Sequence, residues 1–403
     1  MAKFYQILGN VAILAIMLAL SGMASISQAA PESTARKIVV FKLGVEELEK
    51  EALINKVGGT KIKHLRLING KAVLLSKNAE KTLSRHPSVL RIDDDVKVEA
   101  LVKADNEKIK INGAPKPQPI EVLPWGIDRI DAELVWPSGN AANPIKVAIV
   151  DTGIDISHPD LKDNIKGGMS AVGYTTSYND DNGHGTHVAG IVGAIDNTVG
   201  VIGVGPQIDL YAVKVLDRRG SGYLSDIIEG LDWVIANGMQ VVNMSLGTSA
   251  DVLSFHEAIQ KVNAAGITQV AAVGNNGSSV IYPAAYSETI AVSATDNTNT
   301  IASWSSRGSE VDLAAPGVSI YSTYKGQTYK TLSGTSMAAP HVTGAVALVL
   351  NTAVGAYDAD ADGVWDTAEV QKKLQDRATD LGVIGFDNLY GWGLVNAYNA
   401  IQL

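Results

Sequence analysis

At 403 residues the chain is too long for one small module, and at about 150 residues per domain it accommodates two or three folded units. Hydrophobic residues make up 46%, charged residues 19% and cysteine is absent, which excludes wholesale disorder, collagen-like repeats, a polytopic membrane protein, disulfides, thiolate metal sites and a cysteine nucleophile. The net charge of −9 argues against a nucleic-acid binder, and it is uneven: residues 31–101 carry 14 Lys/Arg against 10 Asp/Glu, whereas 102–403 carry 18 against 32, a basic unit beside an acidic one.

Residues 1–29 have the pattern of a secretory signal. Lys3 precedes an apolar run from Val11 to Leu20, too short for a comfortable bilayer span, and Ser27-Gln28-Ala29 predicts cleavage after Ala29. A secreted product with no membrane contact after signal removal is expected. Residues 30–101 read as a small α+β domain, with a strand at Ile38–Phe41, a helix with apolar spacing at Val45, Leu48, Ala52 and Leu53, and strands at Lys61–Leu67 and Ala72–Leu75. A helix near Ala79–Ser84 and a strand at Val89–Ile92 complete it. Residues 102–120 contain Gly113, Pro115, Pro117 and Pro119 and read as a linker.

From 121 to 403 the texture is that of an α/β domain with a mostly parallel sheet. The apolar runs Lys146–Val150, Asp209–Val215, Gln240–Met244, Thr268–Val273 and Thr289–Ser293 alternate with helical stretches, as expected of strands buried on both faces. Ligand sites in such sheets lie at the carboxyl ends of the strands.

Three segments carry candidate chemistry. Asp151-Thr152-Gly153 follows the run Val147–Val150, His184 and His187 lie in Gly183-His184-Gly185-Thr186-His187, and Ser336 lies in Gly334-Thr335-Ser336-Met337-Ala338-Ala339-Pro340 before an apolar helix at His341–Leu350. Each has an ordinary structural reading as a cap or a turn. Together they supply an acid, a base and a nucleophile in the order Asp, His, Ser. The three segments resemble the signature blocks of the subtilisin-like serine proteases, over the chain from about Pro124 to its end. The resemblance implies a three-layer α/β fold and a serine endopeptidase in which Ser336 is the nucleophile, His184 the base and Asp151 the orienting carboxylate. His187 is then a packing or capping residue. Zinc on the two histidines lacks the His-Glu-x-x-His spacing and a third ligand.

By the same resemblance Asn275, in Gly274-Asn275-Asn276-Gly277, is the side-chain donor of the oxyanion hole, with the Ser336 N–H. Gly220-Ser221-Gly222 and Ser245-Leu246-Gly247 are the main-chain segments that pair with an extended protein or peptide substrate. Ala272 and Gly274 line the first specificity pocket, and Ile281 stands where many subtilisins have a small residue, which implies a partly filled pocket.

Two calcium sites are expected. Asp358, Asp360, Asp362, the Val364 carbonyl, Asp366 and Glu369 match Asp-x-Asp-x-Asp-Gly-x5-Glu at 358–369, an EF-hand-like loop with Gly363 at its turn. The resemblance implies a second, in which Glu121, Asp160, the Asn197 amide and the carbonyls of Ile195, Val199 and Val201 are ligands. It also makes residues 30–101 a propeptide, an intramolecular chaperone and inhibitor of a monomeric enzyme, cut by its own active site between Leu101 and Val102, with sites further along the linker as the alternative. A lipase or esterase is a poorer fit, because the serine lacks Gly-x-Ser-x-Gly and follows the histidine. A non-enzymatic calcium-binding module leaves the Asp, His and Ser segments unexplained.

Overall fold

The computed structural model describes residues 33–102 and 118–402. The expected signal at 1–29 and most of the expected linker lie outside the described residues.

Residues 34–94 build an antiparallel sheet from β1 (Thr34–Phe41), β2 (Thr60–Leu65), β3 (Gly70–Ser76) and β4 (Val89–Asp94), in the order β2-β3-β1-β4. The pleat of β1 sends Val39 and Phe41 to one face, where they meet Ile54 of α1 (Glu47–Lys56) and Ala79 and Leu83 of α2 (Lys77–Leu83). Ile38 and Val40 point the other way. The inward stripe expected of α1 is corrected here: Leu48 is 83% exposed, while Lys50 and Ile54 turn inward. Lys50 can bury its stem because its ammonium reaches Glu47 at 2.6 Å and Asn69 Oδ1 at 2.5 Å. The unit ends in β5 (Lys97–Ala100), which leaves this sheet altogether.

The second unit is built on seven parallel strands. In chain order these are β6 (Lys146–Asp151), β7 (Ile165–Ser170), β8 (Asp209–Lys214), β10 (Val241–Met244), β12 (Thr268–Ala272), β13 (Ile290–Thr295) and β14 (Leu313–Pro316). In space the order is β14-β13-β12-β10-β6-β8-β7. Alternation along β6 divides the molecule into layers. Val147 and Ile149 face a core shared with α4 (His184–Gly193) and α7 (Thr335–Leu350), and Ala148 and Val150 face one shared with α5 (Leu224–Ala236) and α6 (Leu253–Ala264). The short helix α3 (Trp125–Arg129), two short segments, β9 (Ser221–Tyr223) and β11 (Leu246–Gly247), a hairpin of β15 (Ile320–Tyr324) and β16 (Thr328–Leu332), and helix α8 (Thr367–Asp376) also belong to this unit.

Strands β7 and β14 carry no strand signature in the sequence. β7 is an edge strand of sequence Ile-Lys-Gly-Gly-Met-Ser, only half-buried, and β14 has four residues, so neither carries a long apolar run. Helix α7 starts at Thr335 rather than His341, so Ser336 lies in its first turn. Among the described residues no helix is long and apolar enough to cross a membrane.

Candidate active site

Strand β6 ends on Asp151, which is fully buried. The Thr152 N–H donates to Asp151 Oδ1 at 2.7 Å. Helix α4 opens on His184, and its Nδ1 faces both carboxylate oxygens of Asp151, at 2.8 and 2.9 Å. A ring nitrogen against a carboxylate carries the proton, so Nε2 is left as the basic lone pair. That Nε2 is buried and has no hydrogen-bond partner among the described residues. Burial pushes the imidazolium down, but the charge and hydrogen bond of Asp151 and the charge of Asp180 outweigh it and hold His184 above its ordinary 6.5.

The chain enters α4 through Gly183, at φ 113°, and a Cβ there would stand 2.3 Å from the Tyr324 ring. His187 lies one turn on. Its Nε2 faces the carbonyls of Ile320 and Lys330 at 3.1 and 3.0 Å, and burial pushes it down to about 3, so it stays neutral and ties α4 to the hairpin.

Ser336 is also fully buried, and Pro340 shapes its surroundings. Pro340 has no N–H, so the Ser336 carbonyl has no donor four residues on. The Ser245 hydroxyl supplies one at 2.9 Å, and the Ser336 hydroxyl donates in return to the Ser245 carbonyl at 2.9 Å. No hydrogen bond joins Ser336 to His184 here. The buried chain continues from Ser245 Oγ to Asn243 Nδ2 and from Asn243 Oδ1 to the Thr343 hydroxyl, each at 2.9 Å.

The end of the first unit lies in this site. Strand β5 runs antiparallel between β9 and β11, with Val98 opposite Gly222, Glu99 between Ser221 and Gly247, and Ala100 opposite Leu246. At the end of the strand the Ala100 N–H donates to the Gly220 carbonyl at 2.9 Å, and one residue beyond it the Leu101 N–H donates to that of Ser245 at 3.2 Å. The Leu101 carbonyl accepts from Asn275 Nδ2 at 2.6 Å. Thr335 fixes the orientation of that amide, its N–H and hydroxyl both donating to Asn275 Oδ1, at 2.9 and 3.0 Å. Gly334 permits the approach: a Cβ there would come within 2.5 Å of the Leu101 carbonyl oxygen and 3.3 Å of Val102 Cα. Ile281 fills space beside Gly247 and Gly274, where an added Cβ would meet its side chain at 2.7 and 3.2 Å, and Ala272 is buried in the sheet below.

The acidic loops differ. Oxygens of Asp358, Asp360 and Asp362 lie within 4.8 Å of one another, with Gly363 at φ 78° and Val364 exposed. Asp366 and Glu369 are not among those three. They form the capping box of α8, Asp366 accepting from the Glu369 N–H at 2.8 Å and Glu369 from the Asp366 N–H at 3.1 Å. Glu369 also accepts from the Ala359 N–H at 2.6 Å, at the start of the loop. In the other group, Asp160 accepts from Asn197 Nδ2 at 3.0 Å and from the Val201 N–H at 3.0 Å, and Glu121 accepts from the Asn197 N–H at 2.7 Å. Asn197 reaches the Ile195 carbonyl at 3.3 Å and accepts from the Val199 N–H at 2.7 Å. Burial and the charges of Asp196 and Asp160 raise the Glu121 carboxyl, against the Asn197 N–H that lowers it.

Sequence reasoning passed over Thr152, Asp180, Lys214 and Thr335. Asp180 reads as one more turn residue in Asn179-Asp180-Asp181-Asn182, and Lys214 as a strand end. Yet Lys214 is fully buried, its ammonium on the Thr152 carbonyl at 2.7 Å, on Asp181 at 2.7 Å and on the Leu216 carbonyl at 3.0 Å.

The model of the Subtilase family matches residues 142–393. The chain is 41% identical over 387 residues to Subtilisin E of Bacillus subtilis (strain 168), covering 93% of each. It is 46% identical over 281 residues to Subtilisin Savinase of Lederbergia lenta, covering 70% of this chain and 99% of that one. It is 40% identical over 362 residues to Minor extracellular protease Epr of Bacillus subtilis (strain 168), covering 89% of this chain and 53% of that one. The chain belongs to the subtilase family and is a serine endopeptidase.

Proposed function

We propose that this chain is the precursor of a secreted, calcium-stabilised endopeptidase that acts through an acyl-enzyme and cuts itself between Leu101 and Val102. Residues 1–29 are the signal, 30–101 the inhibitory propeptide, 102–120 a linker and 121–403 the protease. The observation that carries this reading is the Leu101 carbonyl, 2.6 Å from Asn275 Nδ2 at the end of a strand held between β9 and β11. A scissile carbonyl needs this position, with main-chain pairing behind it and a donor on its oxygen.

Ser336 Oγ attacks the carbonyl carbon while its proton passes to His184 Nε2. Asp151 orients the imidazole and stabilises the imidazolium that forms. The oxyanion is met by Asn275 Nδ2 and the Ser336 N–H. As the C–N bond breaks, His184 returns the proton to the leaving amine. Water then repeats the sequence, freeing the carboxylic acid and restoring Ser336. Pairing through main chain accepts many sequences, while Ile281 narrows the first pocket toward aliphatic rather than large aromatic side chains.

The acidic donor sets fit calcium, because burial and the charges of Asp196 and Asp160 raise the Glu121 carboxyl, and oxygens of Asp358, Asp360 and Asp362 lie within 4.8 Å of one another. Asp160, Glu121, Asn197 and the carbonyls of Ile195, Val199 and Val201 would hold one ion, and the loop at 358–369 another. Calcium supplies electrostatic cross-links in a chain without disulfides.

The test is a serine-directed fluorophosphonate. Labelling of Ser336 and loss of casein hydrolysis are expected, as is an uncut Ser336→Ala precursor that active enzyme cleaves in trans to leave Val102 at the new N-terminus. Labelling elsewhere, or a different new N-terminus, overturns the corresponding half.

A further inference from the structure

Behind the Asp151–His184 pair lies a second buried carboxylate that the mechanism above does not use. Asp180 is 5% exposed and sits four residues before His184. Five donors converge on it. One oxygen accepts from the Asn182 and Gly183 N–H groups, each at 2.9 Å, and from the Thr152 hydroxyl at 2.9 Å. The other accepts from the Thr186 N–H at 3.0 Å and the Thr186 hydroxyl at 2.6 Å. Both hydroxyls are oriented by their other partners. Thr152 Oγ1 accepts from the Gly185 N–H at 2.9 Å and Thr186 Oγ1 from the Asp155 N–H at 2.9 Å, so each turns its own proton to Asp180. Burial raises the Asp180 carboxyl above its ordinary range, and the five donated protons oppose that by favouring the ionised form.

Thr152 joins this carboxylate to the pair. Its main-chain N–H holds Asp151, and its hydroxyl spans from Asp180 to the Gly185 N–H, next to His184. The strand end that carries the acid and the helix start that carries the base are thereby fastened to one buried anion.

We propose that Asp180 is a positioning residue of the catalytic centre: through Thr152 it fixes the His184 helix start against Asp151, and its charge stabilises the imidazolium that forms when Ser336 is deprotonated. This rests on His184 being the base. The titratable groups around His184 are Asp151 from β6, Asp180 from the preceding loop and His187 on its own helix, with Lys214 of β8 beyond the Thr152 carbonyl. Tyr324 of the hairpin faces Asp180 but spends its hydroxyl on the Asn182 carbonyl at 3.1 Å.

The experiment compares kcat and KM against pH for the autoprocessed wild type, Asp180→Asn, Thr152→Val and Thr152→Ser, each normalised by fluorophosphonate active-site titration. Asp180→Asn removes a negative charge beside the imidazolium, so the acid limb of kcat/KM moves to lower pH by about half a unit or more, and kcat at the plateau falls about tenfold. Thr152→Val lowers kcat by a similar factor with KM nearly unchanged, and Thr152→Ser restores it. An acid limb that stays in place in Asp180→Asn overturns the electrostatic role, and an undiminished kcat in Thr152→Val overturns the positioning role. Should Asp180→Asn not self-process, the same charge effect is read by NMR titration of the His184 ring in the full-length Ser336→Ala precursor with and without the substitution. Absence of fluorophosphonate titration in the wild type would count against the proposed function itself, whereas titration with unmoved profiles sinks only the role of Asp180.

Discussion

The two units bury their sheets in different ways. The seven-stranded sheet is covered on both faces by helices of its own unit, α4 and α7 on one side and α5 and α6 on the other. The four-stranded sheet of the first unit has its own helices on one face only. Its other face, with Ile38, Val40, Leu65 and Ala72, is buried in the same cluster as Ile227, Leu231, Phe255 and Ile259 of α5 and α6. Polar contacts follow the same line. Lys63 pairs with Asp226 at 2.7 Å, Arg91 with Glu257 at 2.5 Å, and Asp95 accepts from the Ser225 N–H at 2.8 Å near the start of α5. The larger unit is complete in its covering, whereas the smaller is half a sandwich whose second layer belongs to its neighbour. The basic surplus of residues 31–101 and the acidic surplus beyond it meet at these pairs.

The sharpest probe of the junction is Asn275→Ala, which strikes both units at once. It is expected to lower kcat by about 10²–10³-fold, the worth of one oxyanion donor. It should also weaken the hold on the first unit, because Asn275 bonds the Leu101 carbonyl. Stopped assays and inhibition titrations with added 30–101 fragment read the two effects separately, and an unchanged kcat would remove Asn275 from the mechanism.

Isolation of the first unit tests the comparison itself. Residues 30–101 expressed alone should show no cooperative thermal transition, since a unit of this size with one sheet face uncovered is marginal. Mixing with the Ser336→Ala protease should induce folding, read by circular dichroism, and Lys63→Ala should weaken the complex about tenfold. A cooperative melt of the fragment alone would refute the idea of an incomplete sandwich. Smaller again is the effect of Ile281→Gly, expected to raise kcat/KM for substrates with Phe before the scissile bond by about tenfold relative to Leu. A wild-type profile dominated by Phe and Tyr would remove the occluding role of Ile281. Excess EDTA should lower the melting temperature of the processed enzyme by several degrees, and Asp360→Ala should reproduce part of that loss. An unchanged melting temperature would count against both ion sites.

What was readable from residue order is local. The apolar runs that became β6, β8, β10, β12 and β13 are strands because both faces are buried, which leaves a continuous signature. Asp151, His184, Asn275 and Ser336 each sit in a short segment whose glycines and small residues mark an unusual backbone. Even the acidic repeat at 358–369 is a spacing within one loop, so its converging trio was visible in advance.

Only tertiary structure decided the rest, because those properties belong to pairs far apart in sequence. Leu48 rather than Lys50 looked inward until Asn69 and Glu47 supplied partners for a buried ammonium. Asp180 and Thr335 look like turn and cap residues, and become parts of the site because Thr152 comes to one and Asn275 to the other. The carbonyl left without a donor by Pro340 is answered by Ser245, 91 positions earlier. A carboxylate, hydroxyl or carbonyl takes its role from the groups that bond it once water is excluded, and in this chain those groups arrive largely from segments distant in sequence.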